Sequence, residues 1–260
     1  MDPIAFTIGP LEIRWYGLLM ALAFLCGYFI LRKLARGSGI KEELTDTYFI
    51  YIFLGIIIGA RLGEVLFYQP AYYLSDPVKI FYIWQGGLAS HGAFIGGIIA
   101  TFIFCRRHRI SFYRIADIAV IPIALGSVFV RIGNFINGEI VGRVTDLPWA
   151  VRFENYDSKL RHPAQIYEAV MNLAVFGILL AIRKSRKLPE GLLFWSFVLI
   201  YSFLRFFIEF FKEFQTLDSS YALTMGQFLC MVFFLAAAIM MAAGYRGFFE
   251  KIYKQKIKSQ

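Results

Sequence analysis

The chain has 260 residues, of which 58% are hydrophobic and only 17% charged, and its mean hydropathy is +0.60. Soluble domains carry roughly 45–50% apolar residues, so an ordinary soluble fold is excluded and a polytopic membrane protein is expected. The net charge of +9 raises nucleic acid as a partner, but Lys and Arg sit mostly in short loops between apolar runs, where they orient membrane helices; no nucleic-acid partner is expected.

Spans need about 20 apolar residues. The first basic residue is Arg14, so the N-terminus lacks the charged start of a cleavable signal peptide. A first span is predicted over about 16–35, ending at Arg32, Lys33 and Arg36, and a second over about 46–68. A short aromatic segment, 80–84, reads as lying in the interface plane. The third span covers about 88–105 and ends in Arg106-Arg107-His108-Arg109; the fourth covers about 115–135. A polar stretch, 137–163, reads as a small external cap between helices four and five. The fifth span (about 164–182) ends at Arg183 and Lys184, the sixth covers about 191–211, and the seventh about 222–245 before a basic tail.

The expected fold is therefore an all-α polytopic membrane protein of seven transmembrane helices in one integral membrane domain, 1–260. Most of the 27 Lys and Arg follow spans one, three, five and seven, which puts the N-terminus out and the C-terminus in. Gly55, Gly59 and Gly63, and likewise Gly92 and Gly96, repeat every four residues, the spacing that lets helix backbones approach closely in lipid. Cys26, Cys105 and Cys230 lie within or at the end of apolar runs and read as buried small hydrophobes.

On this topology the polar residues inside spans gather toward the outer side: Tyr16, Arg61 with Glu64, His91, Arg131, His162 with Gln165 and Glu168, and Tyr201 with Arg205 and Glu209. Arg131, Asn134 and Asn137 fall three apart, on one helix face. Plain structural readings exist for several. Arg61 with Glu64 fits an i,i+3 ion pair, Arg205 with Glu209 an i,i+4 pair, Tyr16 an interfacial aromatic, and His91 a satisfied structural histidine. Arg131 is harder to place structurally, because an arginine near mid-bilayer costs on the order of 2.5–3.5 kcal/mol. Two or three guanidiniums in such a site suit a phosphodiester, which arginine grips with fork geometry. One histidine adds a group that titrates near neutrality. There is no HExxH, no Cys/His ligand cluster and no GxSxG, so no metal or other cofactor is expected. A phospholipid-handling enzyme is the chemistry these residues favour.

The segment Arg131-Ile-Gly-Asn-Phe-Ile-Asn-Gly-Glu139-Ile-Val-Gly142 resembles the hallmark of the prolipoprotein diacylglyceryl transferase family. The resemblance continues, collinearly over nearly the whole chain, through Arg14-Trp-Tyr-Gly17, Gly59-Ala-Arg-Leu-Gly63, His91-Gly-Ala-Phe-Ile-Gly-Gly97, Arg161-His-Pro-Ala-Gln-Ile-Tyr-Glu168, Tyr201-Ser-Phe-Leu-Arg205 and Met225-Gly-Gln227. Val130 stands where the family commonly has glycine, as does Ala93.

The resemblance implies an enzyme of the bacterial inner membrane, its active site toward the outer face. It moves a diacylglyceryl group from phosphatidylglycerol to the lipobox cysteine thiol of preprolipoproteins, forming a thioether and releasing glycerol phosphate. In that light His91 is the candidate base, Arg131 holds the phosphate and stabilises the leaving group, Arg205 does the same or binds the glycerol head, and Asn134 and Glu139 orient Arg131 or the glycerol hydroxyls. Tyr16 and Tyr201 donate to the phosphate. Arg61, Asn137, Gly142, His162 and Glu209 complete the expected substrate contacts. The competing classes are a lipid transporter or scramblase, whose midplane polar sites also interrupt apolar helices, and a seven-helix sensor without turnover.

Overall fold

The structure, a computed structural model, describes residues 2–184, 188–213 and 223–248. In chain order its elements are strands β1 (Ile4–Ile8) and β2 (Leu11–Arg14), helices α1 (Trp15–Gly37) and α2 (Glu42–Gly63), a π-helical turn (Glu64–Tyr68), the short α3 (Pro70–Ser75), two 3-10 turns (Pro77–Phe81 and Ile83–Gln85), α4 (Ser90–His108), α5 (Phe112–Asn137), strands β3 (Val151–Arg152) and β4 (Leu160–Arg161), and helices α6 (Ala164–Arg183), α7 (Leu192–Ile208) and α8 (Met225–Gly244). The start of the expected seventh span, the cluster at Arg186 and Lys187, and the basic tail lie outside the described residues. The chain divides into two compact units, Met1–Ile30 with Asp117–Gln260, and Leu31–Ala116.

Among the described residues six helices are long and apolar enough to cross a membrane: α1, α2 with its π-helical turn, α5, α6, α7 with the 3-10 turn that follows it, and α8. The expected third span is present as α4, with 19 residues, but it is not one of the six. Arg106, Arg107 and His108 in its last turn lower its hydropathy most, and Ser90, His91 and three glycines lower it further. The glycines have another use. In the unit Leu31–Ala116, α2 and α4 pack backbone to backbone: a Cβ on Gly59 would collide with the Gly92 carbonyl oxygen and lie 2.7 Å from the Gly96 Cα, and one on Gly63 would lie 2.9 Å from the Gly92 Cα. The sequence spacing had pointed to this close approach. Below the contact, Thr101 donates to the Gly97 carbonyl at 2.8 Å and shares a 3.0 Å hydrogen bond with the Tyr48 hydroxyl. Since neither backbone can yield, Gly59→Ala is expected to cost about 1–3 kcal/mol of stability. Gly177→Ala, whose Cβ meets nothing within 4 Å, is the matched comparison. Melting curves in detergent should separate the two, and equal melting temperatures would contradict this packing.

Arg61, at the end of α2, holds down the segment that links α2 to α4. Its five N–H groups go to five backbone carbonyls: Nε to Ile80 (2.8 Å), Nη1 to Gly86 (2.6 Å) and Gly87 (2.9 Å), Nη2 to Lys79 (2.5 Å) and Tyr82 (3.2 Å). The guanidinium also lies 4.8 Å from the centroid of the Tyr73 ring. Glu64 instead accepts from Gln69 at 3.1 Å, so the i,i+3 ion pair does not describe the bonding of Arg61. The linking segment exposes Phe67, Leu74, Phe81 and Trp84 by three-quarters or more.

In the other unit the N-terminus forms a β-hairpin, β1 against β2 with Ile8 opposite Leu11. The turn is made by Gly9 at φ +58° followed by Pro10, with glycine at the position that needs a positive φ. A hydropathy reading misses it because its residues form no long apolar run. Within α5 Pro122 packs against Gly27 of α1. Asp117 of α5 accepts the N–H groups of Gly191 (2.7 Å) and Phe194 (2.8 Å), which caps the first turn of α7 from a neighbouring helix. Helix α8 begins with a capping box between Thr224 and Gln227.

Beyond Asn137, the last residue of α5, the polar stretch 138–163 is not helical. β4 pairs with β3, while Gly142 to Thr145 pair along the other side of 160–162 and Gly142 also bridges to Lys212. The result is a small ladder of backbone segments in the otherwise helical chain.

Candidate active site

The site grows from the end of α5. Gly138 at φ +70° and Ile140 at φ +57° end the helix. A β-branched residue in the left-handed region is strained and persists only where its surroundings enforce it. This reversal folds Glu139 back over the last turn, where its N–H donates to the Asn134 carbonyl at 2.9 Å. The Glu139 carboxylate then accepts from Asn134 Nδ2 at 2.9 Å and from Asn137 Nδ2 at 3.2 Å. The three-residue spacing of Arg131, Asn134 and Asn137 thus does place one polar face.

Facing it is α6, where Gln165, Glu168 and Asn172 share one side of the helix and each is 1% exposed. Glu168 is the hub. Its Oε2 pairs with Arg131 Nε, while its Oε1 lies 3.3 Å from Lys212 Nζ and 3.6 Å from Arg205 Nη2. Arg205 also pairs through Nη1 with Glu209, one turn along, and Lys212 Nζ lies 3.9 Å from the same carboxylate. Three cations, from α5, from α7 and from just past the 3-10 turn after α7, therefore converge on one buried carboxylate, with Glu209 sharing the load. Removing one partner from such a buried set costs about 3–5 kcal/mol when a charge is left uncompensated. Lys212 is held below the usual ammonium pKa by burial, an effect that Glu168 opposes.

Glu168 was visible in the sequence as an acid opening span five, and Gln165 as its polar neighbour, yet neither entered the expected site. Lys212 follows the sixth apolar span in the sequence and carries no motif of its own. What marks them is that they sit next to Arg131 and Arg205 in space, which spacing along the chain does not reveal.

The other expected residues take distinct positions. The Tyr16 ring lies against Gly133, whose Cβ would come 2.6 Å from it, within electrostatic reach of Glu139 and Arg131. Tyr201 is one turn before Arg205, its ring stacked on Phe197 at 5.5 Å. Gly142 is needed for close approach: a Cβ there would lie 2.6 Å from the His162 Cβ and 2.8 Å from the Phe211 carbonyl oxygen. Beneath it Arg161, 4% exposed, ties the Gly142 carbonyl (3.0 Å) to Asp157 (2.6 Å) and Glu213 (3.0 Å). Hydrogen bonding to Arg161 holds the Asp157 carboxyl below its ordinary pKa.

His162 Nδ1 lies 3.1 Å from the Tyr167 hydroxyl, which accepts from Trp149 Nε1 at 2.8 Å. The Tyr167 hydroxyl thus joins the Trp149 indole to the His162 imidazole. Burial, with Arg143 nearby, keeps this imidazole below its usual pKa. His91 belongs to the unit Leu31–Ala116, in the first turn of α4, exposed, with Nδ1 3.4 Å from the Tyr68 hydroxyl.

Residues 3–243 match the prolipoprotein diacylglyceryl transferase family. A phosphatidylglycerol–prolipoprotein diacylglyceryl transferase from Tolumonas auensis is 42% identical over 243 residues, covering 92% of this chain and 94% of the relative. Proteins of the same name from Geobacter sulfurreducens and Nitratidesulfovibrio vulgaris are each 40% identical, over 248 and 237 residues. They cover 92% and 89% of this chain, and 94% and 90% of their own lengths.

Proposed function

The chain belongs to the prolipoprotein diacylglyceryl transferase family, and from that membership we infer that its buried cationic cluster serves diacylglyceryl transfer. The protein is a membrane transferase that moves a diacylglyceryl group from phosphatidylglycerol to prolipoproteins. The observation that carries the assignment of the site is the convergence of Arg131, Arg205 and Lys212 on Glu168 among apolar helices. Cations are expensive at such a depth and mark function by default.

In the proposed reaction the cysteine thiol loses its proton to His91. The thiolate then attacks the glyceryl carbon that bears the phosphate ester. A C–S bond forms, the C–O bond breaks with its electron pair going to oxygen, and glycerol phosphate leaves. A free thiol has a pKa of about 8.5, so a base is needed near neutrality. Arg131 is pinned by Glu168 from its Nε side, and its Nη2 has no hydrogen bond to a described residue. That edge suits one phosphate oxygen and Arg205 a second, and both stabilise the charge that develops as the phosphate departs. Asn134 and Glu139 hold the α5 end in place, and Tyr16 and Tyr201 supply hydroxyl donors. Gly142 and Glu209 act by shaping and balancing the cluster.

Helix α4 is the proposed seventh span. At 19 residues it is about 28 Å long, close to the thickness of a hydrocarbon core. With it, the distribution of basic loops supports an N-terminus and a 137–163 segment outside the bacterial inner membrane and an α1–α2 loop inside. A membrane-impermeant thiol reagent applied to spheroplasts should label Ser158→Cys and spare Lys41→Cys. The opposite pattern would overturn this orientation. The transferase assignment is tested with phosphatidylglycerol labelled in its acyl chains and a lipobox peptide. Label bound covalently to the peptide thiol is the expected result, whereas label that only changes leaflet would identify a transporter.

A further inference from the structure

We propose that Gln165, together with Asn137, forms a subsite that reads the hydroxyl groups of the donor lipid's headgroup; this rests on the phosphate-binding role given to Arg131 and Arg205. The orientation of both amides is fixed by their partners. Gln165 Nε2 donates to the Glu139 backbone carbonyl at 2.6 Å, and Asn137 Nδ2 donates to the Glu139 carboxylate at 3.2 Å. Because each NH2 end is held by an oxygen, each side-chain carbonyl must face the other way. Those two oxygens, Gln165 Oε1 and Asn137 Oδ1, are buried and have no hydrogen-bond donor among the described residues.

Gln165 is only 1% exposed, and a buried carbonyl without a donor is costly, by about 1–3 kcal/mol. Two of them anchored on one residue, Glu139, are a specific feature and not scatter. Their neighbourhood defines what would satisfy them. Asn134 joins Glu139 to Arg131, and Arg131 joins Glu168. The cationic side of this network asks for an anion, while the amide side asks for hydrogen-bond donors. A phosphodiester that carries an uncharged polyol answers both demands at once. An ammonium headgroup also brings donors, but its charge would meet Arg131, Arg205 and Lys212 as well as the Glu139, Glu168 and Glu209 carboxylates, so charge alone does not select between the two headgroups. Selectivity for the headgroup thus arises from acceptors rather than from the arginines, which grip any phosphodiester alike.

The test compares two donor lipids in liposomes with a lipobox peptide: phosphatidylglycerol and phosphatidylpropanol, which has the same phosphodiester but no headgroup hydroxyl. A site built to bond a substrate hydroxyl discriminates strongly against an analogue that lacks it. The wild-type protein should therefore favour phosphatidylglycerol by roughly 10²-fold or more in kcat/KM. Gln165→Met, which keeps the length but removes the carbonyl, should collapse that ratio to within about fivefold, and Asn137→Leu should reduce it in the same direction. Equal use of the two lipids by the wild-type protein would overturn the subsite without any variant being needed. So would a folded Gln165→Met that keeps the full ratio. Transfer from neither lipid would instead remove the transferase assignment on which the subsite depends.

Discussion

Arg131→Ala should abolish transfer, lowering turnover by at least about 10³-fold, in a protein that still inserts and folds. The fold should survive because Glu168 keeps two other cations, Arg205 at 3.6 Å and Lys212 at 3.3 Å, so its charge is not stranded. Arg131→Lys should also lose most activity, about 10²-fold, although net charge is unchanged. A lysine can satisfy Glu168 or a phosphate but not both, whereas the guanidinium holds Glu168 through Nε and presents its far edge to a ligand. The measurements are transfer rate, phosphatidylglycerol affinity and a thermal unfolding curve for each variant. Arg61→Lys is the informative comparison. Losing its fan of five carbonyl contacts should lower the melting temperature, while the protein that remains folded keeps its turnover. Wild-type turnover in Arg131→Lys would contradict fork recognition of phosphate by Arg131.

His91→Gln should lower turnover by roughly 10²–10⁴-fold with lipid affinity largely retained, the range expected when a general base is lost. The alternative histidine, His162, has its Nδ1 engaged by the Tyr167 hydroxyl at 3.1 Å. Near-normal turnover of His91→Gln across pH 6–8 would make His91 structural. Glu139, His162 or a tyrosine would then be the group to examine.

The sequence carried the apolar spans because hydropathy is a local property, and the glycine stripes because small residues every fourth position have one main use in lipid. It also carried the polar face of Arg131, Asn134 and Asn137, a matter of helical period alone. What it could not carry depends on distant partners. Arg61 and Glu64 look like an ion pair by spacing, yet Arg61 reaches carbonyls some 18 to 26 positions away. Glu168 and Lys212 became part of the cluster only when α6 and the end of α7 met α5. The N-terminal hairpin and the ladder of the 137–163 segment were missed for another reason. Both are short: the hairpin strands have five and four residues and the ladder strands two each, too few for alternation to stand out beside the apolar spans.

The assignment of the cationic cluster to the lipid phosphate is tested most directly by a structure of the protein with phosphatidylglycerol bound. The phosphate should lie within about 3 Å of guanidinium nitrogens of both Arg131 and Arg205, with Glu168 still paired to Arg131 Nε. A lipid whose phosphate sits elsewhere, with both arginines engaged only by Glu168 and Glu209, would contradict it.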